Sequence, residues 1–600
     1  GVSLAGNLIV RITGADPANT MSAMVVDQIV DINPISEYIL SKFVDDEDLV
    51  LADLPPNEVV ALTGKVEEFD ITLDPDNNTL DKILEQLETD LGELVETEIA
   101  IIESTPAEDA SVAAAVEGTW NIVELTLGMH DTDQTPQNWG VFSYDTYIDN
   151  LTFTPTDDPA EITVQLNADS SADTETRYST FSDASTSIWH ETSISDETES
   201  FPVSIDSDGN ITFDEPLEEE LETVNIGDPV TDPEADGPDY GWRFPPGVAF
   251  VDNANNHTLV YANTTAGVRY QTTDTDGDGI NDAIDPDAKD GDEVEIRRSI
   301  LLKQASNMAQ EDLLGEYGVI TTSLDFYTGP APGALVSSAS YTVDFGGNGF
   351  VDVAGDVVEL TREPDMTSQA PLKNILLTLT SPVPDSVQGI PYSVSTEGQL
   401  TLDTDGQAGA TAGDLAGWVN DDASAMSLVA VQTTNADPND PSSEVIAVEK
   451  QLVFGVKLPT AQPDLSNAVF KLYPQVYGSD VNGETEMVSL RLASSLTFAP
   501  DASTASADFT SSGFMRPTDI GDIEPVVDDE APAFDFSVDS LAANGEISLS
   551  YMDPQTNATM SIKGFVSSDG NMIVFRYVED DDANASQAYY ALGMAIAVRQ

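Results

Sequence analysis

The stretch GEYGVITTSL, residues 315–324, decides the fold class because its pattern occurs twice in the chain. The stretch GTWNIVELTL, residues 118–127, has the same order: a glycine, an aromatic residue two positions later, and then apolar residues. Runs of this kind, rich in β-branched and aromatic residues, predict β-strands. The recurrence predicts that each stretch opens one unit of a repeated β design.

Two later landmarks follow these stretches in the same order. One is a hairpin with a polar turn, as in SIDSDGNITF (204–213) and SVSTEGQLTL (393–402), with DSLAANGEISL (539–549) as a looser copy. The other is a strand that starts with glycine and an aromatic residue, followed by a closing apolar strand with a basic residue near its end. Three landmarks in one order indicate a repeat more strongly than any of them alone.

The repeat predicts three antiparallel β domains, built as sandwiches or up-and-down barrels, at 110–305, 308–460 and 463–600. Residues 1–105 differ, because their apolar residues fall at helical spacing, most clearly over 78–96. The expected fold class is therefore mainly β, with three tandem β-sandwich or barrel domains after a small α-rich N-terminal domain. The Gly-x-aromatic opening resembles lipocalin and avidin-like barrels, and this resemblance of two residues per unit implies a topology only.

The charge balance limits the partners of the chain. It has 108 Asp and Glu residues against 21 Lys and Arg residues, a formal net charge of -87. Such a field repels nucleic acid and anionic membrane surfaces, which excludes both as partners, and it attracts divalent cations. An acidic surface stays soluble where salt screens its self-repulsion, which predicts an extracellular or cell-surface setting.

The composition also excludes several kinds of site. The chain has no cysteine, so it has no disulfides, thiolate metal sites or cysteine nucleophiles. It has no apolar run long enough for a membrane-spanning helix. No signal peptide is visible, and the first residues already have a strand pattern, which predicts a mature chain whose export segment has been removed.

No catalytic constellation is visible, so the protein is predicted not to be an enzyme and no catalytic residue is assigned. The three histidines, His130, His190 and His257, have no spacing that suggests a shared metal and are expected at the surface. The chain has no serine-hydrolase, zinc-protease or P-loop motif.

The tryptophans divide into two groups. Trp120, Trp242 and Trp418 fall on landmarks of the repeat and are expected in the core. Trp139 and Trp189 lie in the most variable part of the first β unit, which makes them candidates for an exposed binding face.

The closing strands hold an unusual share of the few basic residues. Two interpretations stay open: salt bridges at the end of each sheet, or a pairing surface for an acidic neighbouring subunit. The residues are Arg297, Arg298, Lys303, Lys457 and Arg599.

Residues 274–285, DTDGDGINDAID, place acids at alternating positions around a glycine. Calcium takes about six to eight oxygen ligands at about 2.3–2.6 Å, which a chain supplies by curling tightly round the ion. Gly279 permits that turn, and strand-like runs flank the loop where an EF-hand would have helices. The predicted ligands are Asp274, Asp276, Asp278, the main-chain oxygen of Ile280, Asp282 and Asp285.

The longer stretch 274–292, DTDGDGINDAIDPDAKDGD, resembles the thrombospondin type 3 calcium repeat of secreted and cell-surface bacterial proteins. The resemblance implies Ca2+ as the cofactor. It also implies a second ion near Asp287, Asp290 and Asp292. Because the stretch lies between two predicted strands, the site is expected to be a structural staple.

The expected function is that of an exported, calcium-stabilised structural protein at the cell surface, as a subunit of a layer or filament or as an adhesive stalk. Its expected partners are copies of itself or other cell-surface components, with glycans as a further candidate. One alternative is an extracellular glycan- or small-ligand-binding protein, which exposed aromatic side chains would favour. The other is a secreted hydrolase with two carboxylates, which a cleft with close acids of raised pKa would favour.

Overall fold

The chain folds into two compact units, Gly1–Val112 with Ile205–Asp208, and Ala113–Ser204 with Gly209–Gln600. The structure is a computed structural model. It describes residues 9–13, 20–24, 82, 116–131, 139–155, 161–166, 172–181, 184–193, 200–205, 210–213, 218–222, 240–244, 248–253, 257–273, 283–329, 332–404, 414–437, 443–482, 485–490, 495–508, 511–516, 523–528, 534–552, 558–581 and 588–599.

The first unit contains an antiparallel hairpin. Its strands are β1 (Ile9–Thr13) and β2 (Thr20–Met24), paired along their whole length. Lys82 lies in helical conformation, within the segment predicted as the clearest helix. The rest of the predicted α-rich region lies outside the described residues.

The second unit contains three antiparallel sheets. In the first, β13 pairs with both β12 and β14, so the eight-strand path β13-β12-β9-β8-β5-β4-β3-β14 closes into a ring, named barrel 1. The hairpin β6–β7 and the pair β10–β11 extend this sheet outside the ring. The strands are β3 (Gly118–Asp131), β4 (Trp139–Pro155), β5 (Glu161–Leu166), β6 (Ala172–Phe181), β7 (Thr186–Ser193), β8 (Ser200–Ile205), β9 (Asn210–Phe213), β10 (Glu218–Glu222), β11 (Tyr240–Phe244), β12 (Val248–Asn253), β13 (Thr258–Thr273) and β14 (Ala283–Lys303).

The second sheet closes into barrel 2 through β16-β15-β23-β22-β21-β20-β19-β17, because β16 also pairs with β17. Its strands are β15 (Gly315–Tyr327), β16 (Gly333–Phe345), β17 (Phe350–Pro364), β18 (Ile375–Leu379), β19 (Val383–Val394), β20 (Gln399–Leu402), β21 (Leu415–Val419), β22 (Ala425–Asn435) and β23 (Val445–Lys457). Short 3-10 helices at Gln310–Leu313 and Pro371–Lys373 precede β15 and β18.

The third sheet closes into barrel 3 through β24-β26-β27-β30-β31-β32-β33-β34, because β26 also pairs with β24. The mainly β class, in its antiparallel barrel form, is therefore confirmed for the described residues. The strands are β24 (Val469–Asp480), β25 (Thr485–Leu490), β26 (Ser495–Phe498), β27 (Thr504–Asp508), β28 (Ser511–Arg516), β29 (Glu524–Asp528), β30 (Phe534–Leu541), β31 (Glu546–Met552), β32 (Thr559–Val566), β33 (Met572–Asp581) and β34 (Tyr589–Arg599).

The repeated landmarks meet where the opening and closing strands of each barrel pair. There the base near the end of the closing strand lies opposite the aromatic residue of the opening strand. In barrels 1 and 2 the lysine Nζ lies 5.8 and 5.7 Å from the ring centre, within range of a cation–π interaction. The register pairs are Lys303 with Trp120, Lys457 with Tyr317 and Arg599 with Phe470.

The glycine of the opening pattern is required by its backbone conformation. Gly118 has φ 125° and Gly315 has φ 119°, a region that residues with a Cβ atom rarely adopt. In 118–127 and 315–324 the glycine therefore meets a requirement of the backbone conformation, and the aromatic residue two positions later fills an equivalent core position in each barrel.

The three barrels share one hydrophobic core on their outer faces. The ring of Phe326, on β15 of barrel 2, has its centre 5.0 Å from Phe142 and 4.9 Å from Tyr144 of barrel 1, and 4.9 Å from Tyr178 of the adjoining hairpin β6–β7. Phe142 in turn lies 5.6 Å from Tyr477 of barrel 3. The sequence predicted tandem domains but not this shared core, which packs the three barrels into one body.

The inward faces of barrels 2 and 3 are also packed with apolar side chains. In barrel 2, Phe345 makes edge contacts with Tyr317 and Tyr392 at 5.2 and 5.0 Å. In barrel 3, Phe470 and Phe498 lie 6.0 Å apart within a second buried cluster. Several strands are therefore buried on both faces, which accounts for their continuous apolar runs.

Buried cationic groups join the barrels to one another. Each is at most 6% exposed and donates a hydrogen bond to a different barrel, because a buried charge without partners would be costly. The contacts are Arg298 to the main-chain oxygen of Pro474, Arg362 to Oγ of Ser479, Lys450 to the main-chain oxygen of Tyr144, and Arg576 to Oδ1 of Asp356. Within the described residues, no helix is long and apolar enough to span a bilayer.

Candidate functional site

The predicted calcium loop connects two paired strands of barrel 1 along the chain. Strand β13 ends at Thr273, β14 begins at Ala283, and these two residues pair across the hairpin. Residues 274–282 connect them and lie outside the described residues. They include five of the predicted ligands: Asp274, Asp276, Asp278, Ile280 and Asp282.

The later acids of the motif lie on strand β14 itself. The backbone is in a β-strand at Asp285, Asp287, Asp290 and Asp292, so the strand begins before the last predicted ligand of the first ion. The pairing with β13 shifts register on both sides of Tyr270, which marks an irregularity at the base of the loop. The flanking strands are thus described, and the calcium ligands stay a prediction.

A group of side chains that could ligate a metal ion lies between barrels 1 and 2. Nδ1 of His257 lies 2.6 Å from Oδ1 of Asp421, and Nε2 lies 3.8 Å from Oδ2 of Asp422. A histidine with two carboxylates can hold a divalent ion or form a hydrogen-bonded bridge without one. Sequence reasoning missed the group because His257 and Asp421 are 164 residues apart.

The turns that carry this group are tied together by a buried side chain. Asn420 Nδ2 donates to Oγ1 of Thr258 at 3.1 Å. Its Oδ1 accepts from the main-chain N–H groups of Ser424 and Ala425 at 2.9 and 3.1 Å. The acids that follow Asn420 are therefore held on a fixed turn. His257 and Asp421 both lie in the turn before the strand that pairs with the closing strand of their barrel. This equivalent position in the repeat is the sequence signal that could have indicated that they meet.

The inward face of barrel 1 is apolar at one end and polar further along. Trp120 and Leu151 are paired across β3 and β4 and are both buried. Four residues along β3 from Trp120, Glu124 is 7% exposed and accepts hydrogen bonds from Thr126 Oγ1 (3.0 Å) and from Ser299 Oγ. The signal was the alternation in 122–127, where Val123, Leu125 and Leu127 make the other face of the strand apolar.

Further acids lie on the same inward face. Asp149 is 1% exposed, and burial raises its pKa even though the Tyr147 hydroxyl and the Asn150 N–H donate to it. Arg297 Nη2 lies 2.9 Å from Oε2 of Glu295. Burial by itself would lower the pKa of Arg297, but Glu295 and another acid raise it above its ordinary value. The lining of barrel 1 therefore contains buried acids that accept hydrogen bonds from neighbouring side chains and main-chain groups.

The predicted burial of Trp120 and Trp418 and the predicted exposure of Trp189 are confirmed. Trp120 and Trp418 are 0% and 7% exposed, while Trp189 is 43% exposed. The Arg177 guanidinium lies 5.2 Å from the ring centre of Trp189, on the hairpin β6–β7 outside the ring. The other two lie on β4 and β11 with side chains outside the description: Trp139 and Trp242.

Two of the histidines, which were expected at the surface, make specific side-chain contacts: His190 and His257. His190 Nδ1 lies 2.8 Å from Oγ1 of Thr176, and burial together with the charge of Lys450 lowers the pKa of His190 to about 4. It is therefore neutral at pH 7. His130 lies on β3, and its side chain is outside the description.

No protein-family model and no curated protein sequence matches this chain. Solved structures that it resembles include an AttH protein from Nitrosomonas europaea, at 10% identity and a TM-score of 0.16, covering 48% of this chain and 94% of that one. Others are the translocator domain of autotransporter NalP from Neisseria meningitidis (6% identity, 82% and 92% coverage, TM-score 0.14) and OprB from Pseudomonas putida (6%, 80% and 93%, TM-score 0.13). With TM-scores this low, these likenesses carry no argument about function.

Proposed function

We propose that this protein is an exported, calcium-stabilised structural protein of the cell surface, whose three-barrel unit serves as one rigid body in a layer, filament or adhesive stalk. The observation that carries the proposal is the core shared by the barrels, in which Phe326 contacts Phe142, Tyr144 and Tyr178. Because that core is continuous, bending at a barrel junction would expose apolar surface to water.

Packing inside the barrels supports a structural role over a carrier role. The buried clusters inside barrels 2 and 3 contain large side chains, among them Tyr317, Phe345, Phe470 and Phe536. A carrier barrel keeps that space for its ligand, whereas a filled barrel gains stability from it. The role proposed here requires no catalysis.

The calcium part of the proposal rests on the acidic hairpin and the overall charge. The loop 274–282 connects two paired strands of barrel 1, so an ion there would hold the tip of the hairpin in one conformation. With a net charge of -87, bound cations would also reduce repulsion between copies of the protein. Proposed partners are copies of the chain and other cell-surface components, including glycans.

The test is size-exclusion chromatography with negative-stain imaging, first in millimolar calcium and then after chelation. Ordered assemblies that dissolve on chelation are expected. The double variant Asp276→Asn/Asp278→Asn should fail to assemble. A matched control, Asp206→Asn/Asp208→Asn, removes the same charge from another Asp-Gly turn and should assemble normally. A monodisperse monomer in both conditions would refute self-assembly.

A second candidate function, binding of a glycan, is favoured by the exposed Trp189. Its ring lies beside the guanidinium of Arg177, on a hairpin outside the closed ring. Aromatic faces of this kind stack on sugar rings. A glycan array should then show binding that Trp189→Ala abolishes and that the buried-core variant Trp418→Phe retains.

A further inference from the structure

We propose that Lys450 of barrel 2 and Asp145 of barrel 1 become joined by an intramolecular amide bond between Nζ and Cγ. The bond would be a covalent cross-link between two barrels that are far apart in sequence. The inference concerns chemistry within this chain and does not depend on the proposed function.

The two side chains meet inside the protein. Lys450 is 0% exposed and Asp145 is 18% exposed, with Nζ 3.8 Å from Oδ1. Nζ donates to the main-chain oxygen of Tyr144 at 2.5 Å and to that of Thr174. The ring of Tyr144 lies along the same side chain, 5.2 Å from Nζ. The amine is therefore held in one place against the carboxyl group.

An interruption in the sheet creates the space for this contact. Strands β4 and β6 pair at Ser143 with Arg177 and again at Thr146 with Thr174, and the ladder between these two strands is interrupted between the two pairs. At this interruption, Nζ of Lys450 donates hydrogen bonds to the main-chain oxygens of Tyr144 and Thr174. Oδ1 of Asp145 accepts a hydrogen bond from the N–H of Thr176 at 3.0 Å. The interruption thus brings an amine and a carboxyl together where the strand ladder would exclude both.

The protonation state suits amide formation. Burial raises the pKa of Asp145, Lys450 opposes that rise, and Glu175 and Glu295 add to it. Moving one proton from the ammonium to the carboxylate gives a neutral pair, which burial favours over two separate charges. A neutral amine has two N–H groups, one for each carbonyl, and its lone pair then serves as the nucleophile.

The reaction is a balanced condensation. The lone pair of Nζ attacks Cγ of protonated Asp145, and the N–H of Thr176 stabilises the negative charge that develops on Oδ1. One proton of the nitrogen passes to the hydroxyl on Cγ, the Cγ–OH bond breaks, and water leaves. An amine and a carboxylic acid become an amide and water, with no oxidant or external donor. The partial exposure of Asp145 gives the water a path to solvent.

The test is intact-mass spectrometry of the full chain, followed by proteolysis and peptide mapping. The natural protein should weigh one water molecule less than its sequence, and a branched peptide should join the segment with Asp145 to that with Lys450. Lys450→Met should have the full sequence mass. Lys563→Met, which removes a lysine bound to a carboxylate at a different barrel contact, should still lack one water relative to its own sequence.

Two results would overturn the proposal. The first is a natural protein with the full sequence mass. The second is a missing water that maps to a linear peptide, since Asp-Gly sequences such as 276–277 can cyclise to a succinimide without any cross-link. Denaturing electrophoresis gives an independent readout, because a cross-linked chain migrates faster than Lys450→Met even when the variant folds poorly.

Discussion

Lys450 and Tyr144 each donate a hydrogen bond across the contact between barrels 1 and 2. Nζ of Lys450 donates to the main-chain oxygen of Tyr144 at 2.5 Å, and the Tyr144 hydroxyl donates to the main-chain oxygen of Val448 at 2.6 Å. The partners are about three hundred residues apart in the chain. Buried hydrogen bonds of this kind are costly to break, because the groups left behind have no access to water.

Replacing Lys450 should therefore destabilise the second unit more than replacing a partly exposed lysine. Lys450→Met removes the hydrogen bonds to the oxygens of Tyr144 and Thr174, at an expected cost of about 3 kcal/mol in the free energy of unfolding, and loss of the proposed cross-link would add to it. Lys563→Met, whose lysine is 29% exposed, should cost about 1 kcal/mol. Urea denaturation measures both. Equal losses would contradict the structural importance of Lys450.

Asp356 should stabilise the contact between barrels 2 and 3 in a pH-dependent way. It lies 2.5 Å from Nζ of Lys563 and 2.7 Å from Nη1 of Arg576. Burial opposes ionisation, but these hydrogen bonds lower the pKa of Asp356 below its ordinary value. Its stabilising effect is then present above the unfolded pKa of about 3.9 and is lost as pH falls through the folded value.

The corresponding measurement compares Asp356→Asn with the natural protein in denaturation curves at several pH values. The variant should be less stable by about 2 kcal/mol at pH 7, and the difference should shrink below about pH 4. Asp344→Asn, at an exposed position of the neighbouring strand β16, is the control and should change little. A difference that does not vary with pH would show that Asp356 does not act through its charge.

Asp325 should have the opposite effect on stability. It lies opposite Glu449 on the inward side of barrel 2, and burial followed by the charge of Glu449 raises the pKa of Asp325 to about 6. The folded state then binds more protons than the unfolded state between about pH 4 and 6, so this group lowers stability as pH rises through that window. Asp325→Asn should be more stable than the natural protein at pH 7 and nearly equal at pH 4. Thermal denaturation at both pH values would detect this, and a loss of stability at pH 7 would refute it.

Gly318 should be required for the close approach of barrels 2 and 3. A Cβ atom on Gly318 would lie 2.1 Å from Cγ of Phe565, on barrel 3, so Gly318→Ala must displace that ring. We expect a loss of about 1–3 kcal/mol. Gly346→Ala, where the nearest atom would be 3.4 Å away, is the matched control. A double-mutant cycle with Phe565→Leu should show a smaller effect of the alanine, and additive losses would place the strain elsewhere.

Calcium should raise the melting temperature through the hairpin loop. An ion that binds the folded state stabilises it by about 2.7 kcal/mol when its concentration is about 100 times the dissociation constant. Asp276→Asn/Asp278→Asn should abolish most of the calcium-dependent rise measured by differential scanning fluorimetry. If this variant and Asp206→Asn/Asp208→Asn respond to calcium equally, the loop is not the main site.

The sequence predicted the mainly β class because the evidence for it is local. Glycine, aromatic and apolar residues recur in order, and Gly118 and Gly315 adopt the backbone conformation that glycine favours. The pairing of Lys303 with Trp120 and of Lys457 with Tyr317 accounts for two of the five bases in the closing strands. In barrels 1 and 2, a lysine over the aromatic ring of the opening strand stabilises the pairing of the opening and closing strands.

The contacts between barrels were beyond the reach of the sequence. Phe326 follows Asp325 in a pattern that is common in strands with one buried face. Nothing in 315–327 indicates that its partners are Phe142 and Tyr178. The group formed by His257, Asp421 and Asp422 likewise joins turns of two barrels. Such contacts depend on how finished barrels pack.

The sequence by itself determined the strand pattern, the repeat, the acidic character and the candidate calcium loop, because each depends on residues that are close together in the chain. Tertiary structure alone decided which strands are buried on both faces, where the side chain of Lys450 lies, and that the three barrels share one core. The physical reason is that burial and hydrogen bonding act through space. Two surfaces separated by hundreds of residues acquire their energies only when folding brings them together.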